Sequence, residues 1–318
     1  MKKILLKCFA FFAILTIILI IISYILVPKN NTKEAGMEEP EAMGIVGERK
    51  DSIDVVVYGD SEPMASIIPM KIWDKHGITM YNCTHAGQTL PDTCRMVYDT
   101  LKEQHPKIVI LETNNSYIST SITVPMARIV NELFPITEYH NRWKSLKPED
   151  FFGPIKYTYT DFKKGYYYVG DVDPAENFNS YMEYSEDKEG IPLMNKFYIK
   201  FIKMLVESNG AKFMMVSVPN TNNWSYARHN AMQEFTEKEG IEFLDLNYLK
   251  DELKINWQTE TGDKGEHVNY KGALKVTEYL GNYLNNKGIL ENHKNDEMYK
   301  KWNDDLAEFN AFIKSKEE

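Results

Sequence analysis

The sequence predicts an α/β protein, a central parallel sheet with helices on both faces in a three-layer α/β/α arrangement, preceded by one N-terminal transmembrane helix. Two observations carry that expectation. Cys8 to Val27 is a continuous uncharged stretch rich in Phe, Ile and Leu, and from Ile53 onward short β-branched runs alternate with segments of helical period. With 318 residues, 13% aromatics and three cysteines, the chain is neither collagenous, disordered nor disulfide-stapled.

The N-terminal stretch corresponds to roughly 30 Å of helix at about 1.5 Å per residue, the thickness of a bilayer core. A cleavable signal peptide would carry a shorter apolar core, about 7 to 15 residues, closed by small residues. This one closes on Tyr24-Ile25-Leu26-Val27-Pro28, which favours an uncleaved anchor over residues 1–27. Lys2, Lys3 and Lys7 precede the span, so the positive-inside tendency keeps the N-terminus cytoplasmic and places the body outside the cell. Cys8 lies before the apolar core and is not placed as a lipoprotein acceptor. Residues 1–27 contain those three lysines and no acid, so removing them takes the formal charge from −9 to −12. So acidic a body argues against nucleic acid as partner.

Residues 28–50, polar and without apolar periodicity, are expected to be a solvated stalk. The main domain is expected over 51–288, with strands at Ile53–Tyr58, Ile78–Cys83, Ile108–Leu111, Lys212–Val218 and Ile241–Leu246. Helices are expected at Met64–Lys75, Thr89–Gln104, Leu193–Ser208, Tyr226–Glu239 and Lys271–Asn285. The alternation is lost in an insertion at about 115–190, dense in aromatics such as Trp143, Phe151, Phe152, Tyr166 and Tyr167. That density argues against disorder. With Lys156, Lys163 and Lys164 among the rings, the insertion could form a sugar-stacking cleft or an apolar lid over the sheet edge. The tail, 289–318, places Met298, Trp302, Leu306, Phe309 and Phe312 at helical spacing and should dock as a helix. Cys83 and Cys94 could pair in an oxidising compartment or remain free thiols, the latter being slightly favoured. No Cys or His spacing reads as a zinc site, and no glycine-rich phosphate loop is present, so neither metal nor cofactor is expected.

In open parallel sheets, ligands sit beyond the carboxyl ends of the strands. The first strand runs into Gly59-Asp60-Ser61-Glu62-Pro63, which puts a serine at the strand-to-helix turn. Alone, Ser61 reads as a helix cap as readily as a nucleophile, and Pro63 replaces the last glycine of the Gly-x-Ser-x-Gly elbow, which disfavours the common α/β-hydrolase arrangement. Gly87 follows the second strand, where a backbone N–H could approach a reacting oxygen. Asn114 follows the third, where an amide could face an oxyanion or simply form a turn. Before the last helix lies Asp263-Lys264-Gly265-Glu266-His267, in which Asp263 can fold back onto the imidazole and leave its other nitrogen as a base. The coincidence of Ser, Gly, Asn and Asp/His in one order after successive strands favours chemistry over four unrelated structural roles.

These blocks resemble the SGNH (GDSL-like) hydrolase superfamily, a flavodoxin-like fold. That resemblance implies Ser61, His267 and Asp263 as catalytic, with an oxyanion hole from the Ser61 N–H, the Gly87 N–H and the Asn114 amide. The anchor, Pro106 to Glu112, Arg142-Trp143, Asn223-Trp224-Ser225, Asp245-Leu246-Asn247 and His267 to Ala273 look like membrane-anchored DltD-like proteins of Gram-positive bacteria. The implied function is extracytoplasmic O-acyl transfer, acetyl or D-alanyl, onto a cell-wall or surface polymer such as teichoic acid, with a multipass membrane-bound O-acyltransferase as partner. Arg142, Trp143, Lys164 and Tyr166 are the substrate-binding candidates. A carbohydrate esterase of the same fold and a non-catalytic scaffold are the alternatives. Two departures stand out: the third block reads Glu112-Thr113-Asn114-Asn115 instead of Gly-x-Asn-Asp, which leaves Asn115 as a rival to Asn114. The acid precedes the histidine by four residues instead of three, which leaves Glu266 as a rival to Asp263.

Overall fold

The computed structural model describes residues 2–118, 123, 130–131, 133–176 and 178–318. The expected insertion at about 115–190 therefore has residues 119–122, 124–129, 132 and 177 outside the described ones. The chain divides into two compact units, one of Met1–Pro40 with Ser121–Tyr159, the other of Glu41–Thr120 with Thr160–Glu318.

The larger unit holds a five-stranded, all-parallel sheet in the order β2-β1-β3-β4-β5. Its strands are β1 Val55–Gly59, β2 Met80–Thr84, β3 Ile108–Glu112, β4 Lys212–Ser217 and β5 Glu242–Asp245. Each lies within one or two residues of its expected position. The first three are buried at every residue, because helices cover both faces; the polar Asn82 within β2 donates to the Ile67 carbonyl at 2.8 Å. Val56, Tyr58, Tyr81, Cys83, Val109 and Leu111 enter one core with helices Leu90–Glu103 and Leu193–Ser208. Val55, Val57, Met80, Ile108 and Ile110 enter the opposite core with helix Tyr270–Asn285. The period of two in each strand thus sorts the side chains into two layers.

Two expectations are corrected in shape. The helix expected over Met64–Lys75 is two, Ser61–Ser66 and Pro69–His76, because Pro69 cannot continue the first and forces Ile68 out of the helical region. Residues 28–50 are not a bare solvated stalk. Asn31 is fully buried in the smaller unit and exchanges two hydrogen bonds of 2.9 Å with the Tyr159 backbone. Ala42, Ile45 and Glu48 are buried in the larger unit. Isolated apolar residues among polar ones left no period to read. The tail does dock as a helix, from Lys300 to Glu317, but it belongs to the larger unit and buries Trp302, Phe309 and Ile313, while Met298 is exposed. Trp302 packs on Trp73 with ring centroids 5.4 Å apart.

Cys83 and Cys94 are both free thiols; burial holds the Cys83 thiol far above its ordinary range and pushes that of Cys94 up to about 12. Such groups stay protonated and inert at neutral pH.

Candidate active site

Ser61 is the first residue of helix Ser61–Ser66, and the cap is Asp60, whose Oδ1 accepts from the Glu62 N–H at 3.1 Å. That division of labour leaves the Ser61 hydroxyl free. Gly59 lets the turn close: a Cβ there would lie 2.6 Å from Pro63 and 2.8 Å from the Glu112 Cβ. The serine is consequently set directly beyond the carboxyl end of β1.

His267 reaches it from the other end of the chain. Its Nε2 lies 2.8 Å from Ser61 Oγ, and its Nδ1 lies 2.5 Å from Asp263 Oδ2. The carboxylate fixes the proton on Nδ1, so Nε2 is left to accept the serine hydroxyl. The loop that carries both groups closes on itself. Thr261 bridges Val268, Thr261 Oγ1 donates to the His267 carbonyl at 2.9 Å, and Asp263 Oδ1 accepts the His267 N–H at 2.6 Å. Lys264 and Gly265 are both left-handed, at φ 59° and 95°, and this turn gives Asp263 the reach that its four-residue spacing requires. Burial lowers the affinity of His267 for a proton, but the Asp263 hydrogen bond and the charges of Asp263, Glu266 and Asp60 outweigh it and the pKa is raised. Asp263 rather than Glu266 is the acid on the ring.

Asn114 follows β3 and donates its amide to Asp60 Oδ2 at 2.9 Å, which ties it to the residue before the serine. An amide has two N–H groups, and among the described residues one of them makes no hydrogen bond. Asn115, the rival, is buried and its amide atoms have no hydrogen-bond partner among the described residues. Gly87 lies in the turn after β2 at φ 68°, and a Cβ there would meet nothing within 4 Å; backbone conformation, not crowding, requires the glycine.

The four substrate-binding candidates fare differently. Lys164 is fully buried, its Nζ 2.6 Å from Glu48 and 2.5 Å from Asp305, and Tyr166 is buried against Phe309. Both are core residues that a substrate does not reach, and the expectation for them is corrected. Arg142, in the smaller unit, is likewise consumed: it pairs with buried Asp150 at 2.8 Å and donates to the Leu26 carbonyl at 2.5 Å. Trp143 alone is exposed. The residues of the aromatic insertion are divided between the two units.

Sequence reasoning missed how the later part of that insertion serves the site. Residues 169–175 run beside the histidine loop as a strap: Tyr270 N–H donates to the Val169 carbonyl at 2.8 Å, Asp173 N–H to Thr261 at 3.1 Å, and Lys264 N–H to Asp173 at 2.9 Å. Also missed was a buried polar layer beneath the serine. Glu62 accepts from Asn220 Nδ2 at 2.5 Å and from Asn223 Nδ2 at 3.1 Å, and Asn220 also donates to the Glu266 carbonyl at 2.9 Å. Glu112 accepts the Asn114 N–H at 2.7 Å. Burial, reinforced by the charge of Asp60 and, for Glu62, by that of Glu112, holds Glu62 and Glu112 well above the ordinary carboxyl range. The signal available was the Asn223 and Asp245-to-Asn247 blocks, since Asn247 accepts the Asn220 N–H and Asp245 anchors Trp224.

Among the described residues, two groups could offer ligand atoms to a metal, Asp263 with Glu266 and His267, and Asp60 with Glu62 and Glu112. In the first, both imidazole nitrogens are already engaged by Asp263 and Ser61. The arrangement as it stands can remove a proton from a serine hydroxyl and present an amide beside it, the elements of nucleophilic acyl chemistry.

No protein-family model matches the sequence, and no curated protein matches it. Solved structures do. A psychrotrophic esterase, EstA, from Pseudoalteromonas sp. aligns over 74% of this chain and 98% of its own at 10% identity and a TM-score of 0.41. A putative lipolytic protein of the G-D-S-L family from Desulfitobacterium hafniense covers 72% and 98%, at 15% identity and TM-score 0.37. A putative acylhydrolase from Bacteroides fragilis covers 79% and 97%, at 12% identity and TM-score 0.38.

Proposed function

We propose that the protein is a membrane-anchored, SGNH-like serine enzyme that moves acyl groups outside the cytoplasm. The observation that carries this reading is the continuous line Asp263–His267–Ser61, with hydrogen bonds of 2.5 and 2.8 Å. In the proposed cycle His267 Nε2 takes the hydroxyl proton as Ser61 Oγ attacks an acyl ester or thioester. The carbonyl π electrons move onto its oxygen, which is held by the Ser61 and Gly87 N–H groups and the Asn114 amide. Collapse expels the leaving group, which takes the proton from His267, and leaves an acyl-serine. An acceptor hydroxyl, deprotonated by the same imidazole, then attacks the ester and restores Ser61.

If the acceptor is a sugar or polyol hydroxyl of a surface polymer, the outcome is transfer of an acetyl or D-alanyl group; if it is water, the protein is a carbohydrate esterase. Tethering favours transfer, since an acyl group handed over at the bilayer, by a multipass O-acyltransferase partner, meets the serine there. Two features support tethering. Lys2–Leu26 is long and apolar enough to cross a membrane. The end of this helix is also built into the smaller unit, where Ser23 and Leu26 are buried and the Leu26 carbonyl accepts from Arg142. Cleavage near residue 27 would strip that unit of its packing partner.

The test uses the full-length protein in detergent with a fluorophosphonate and p-nitrophenyl acetate. Labelling confined to Ser61, with turnover abolished in Ser61→Ala, is expected. A folded protein that neither labels nor turns over any activated acyl ester overturns the proposal and leaves the non-catalytic scaffold. A gain or loss of acyl groups on surface polymer in cells lacking the gene separates esterase from transferase.

A further inference from the structure

We infer that residues 133–156 form a collar that sits in the outer lipid–water interface around the end of the N-terminal helix, with Trp143, Phe151, Phe152 and Ile155 as its lipid-contacting side chains. The inference rests on the proposed reading of Lys2–Leu26 as an uncleaved span. It starts from an oddity of exposure: Phe152 is 92% exposed and Trp143 66%, with Phe151 and Ile155 also open, all within one short stretch of the smaller unit. A cluster of large apolar side chains of this kind is not left in water without reason.

The attachment of the stretch identifies what covers it. The Ile136 N–H donates to Ser23 Oγ at 3.2 Å, and Tyr24 Oη donates to the Gly153 carbonyl at 2.8 Å. Arg142, clamped by Asp150, donates to the Leu26 carbonyl, and Lys29 Nζ donates to that of Tyr24. The last carbonyls of a helix have no partner within it, and in a bilayer no water is available to satisfy them. Here Arg142 and Lys29 satisfy two of them, those of Leu26 and Tyr24, and the Val27 N–H takes that of Ser23. The collar buries Ser23 and Leu26, while Ile4 to Ile18 remain bare along the helix. If residues 8–27 fill the hydrocarbon, Ser23 lies only about 6 Å inside its edge at ~1.5 Å per residue. Anything packed on Ser23 is therefore at the level where acyl chains meet headgroups, the depth that Trp and other aromatics prefer. Exposed Lys144, Lys147 and Lys156 lie in the same stretch, within reach of lipid phosphates. A lipid surface is the occupant that is continuous with the span itself.

The experiment uses the full-length protein reconstituted in phosphatidylcholine–phosphatidylglycerol vesicles, with or without lipid brominated near the headgroup end of the acyl chains. Resistance to alkaline carbonate and intact mass are read first; release from the vesicles or loss of the leader overturns the anchor and the collar together. The fluorescence difference between the parent and Trp143→Phe then reports Trp143, and Phe152→Trp in the Trp143→Phe background reports the second position. Bromolipid is expected to cut both signals about twofold or more, as for interfacial side chains, while aqueous iodide leaves them unchanged. Quenching by iodide and not by bromolipid, in protein that resists carbonate, overturns the collar alone. Protection from both quenchers also overturns it, in favour of a protein partner or a second copy over the patch.

Discussion

Replacing Asn114 with alanine isolates the weakest-marked member of the proposed site. Its amide has two N–H groups, one given to Asp60 Oδ2 at 2.9 Å and one left for an oxyanion. Removing an oxyanion donor costs about 10² to 10³ in kcat, or roughly 2.7–4 kcal/mol of transition-state stabilisation. Asp60→Asn provides the comparison. It leaves one carbonyl oxygen to serve both the Glu62 N–H and the Asn114 amide, where Asp60 used two. One hydrogen bond of about 1 kcal/mol is lost, worth roughly fivefold if all of it reaches the transition state, while the donor itself stays. Asn115→Ala, which removes no hydrogen bond between described residues, should leave kcat unchanged at some cost in stability. The assay is p-nitrophenyl acetate turnover at saturation, beside thermal denaturation to exclude unfolding. If Asn114→Ala keeps more than about a tenth of kcat, or Asn115→Ala loses as much, the donor assignment is wrong.

Three further outcomes are expected. Asp263→Asn should lower kcat by about 10⁴, by analogy with other serine triads, and should move the acid limb of the pH–rate profile to lower pH. The direction follows because the base must be neutral to act, and the Asp263 hydrogen bond and charge are what raise the His267 pKa against its burial; an unmoved limb refutes the assignment. Lys164→Met removes the cation that buried Glu48 and Asp305 share, leaving Asp305 only its pair with Lys301 at 2.7 Å, and should cost about 3–5 kcal/mol in urea denaturation, with part recovered on adding Glu48→Gln. Glu62→Gln should stabilise the protein at neutral pH. Burial, with Glu112 and Asp60, raises the folded-state pKa of Glu62 well above 4.5, so its contribution to stability is whole below that value and is lost as pH rises toward the folded one. Thermal midpoints measured from about pH 4 to about pH 8 should therefore fall less steeply in the variant, and equal slopes would falsify the burial argument.

The sheet was legible because β1 and β3 are buried on both faces, which writes residues 55–58 and 108–111 as apolar runs, while β2 carries Asn82 within its run. Leu193–Ser208 was legible by its period, and both it and Tyr226–Glu239 lie at their expected bounds. The meeting of residues 61 and 267 was legible only as a coincidence of order. Lys164 was misread for a physical reason: a lysine among aromatics looks like a surface cation, and nothing local reveals that Glu48 and Asp305, both more than a hundred positions away, neutralise it in the core. Glu62 and Asn220 were hidden in the same way, since their burial depends on partners distant in the chain.

The two departures from the SGNH pattern have local explanations that bear on how the site is held. An extra residue between acid and histidine would misplace the carboxylate in a regular turn. Here the left-handed pair Lys264 and Gly265 takes up the extra length, and the strap through Asp173 fixes that turn by its backbone. The second departure puts a glutamate where the pattern has glycine. Glu112 fits because Gly59 opposite has no side chain, and its carboxylate then accepts the Asn114 N–H while Asp60 holds the Asn114 amide. Two acids thus fix one asparagine from its backbone and its side chain. In the proposed oxyanion hole, an Asn114 amide oriented in advance would lose little by reorganising when charge develops, which is the condition under which such a donor lowers a barrier most.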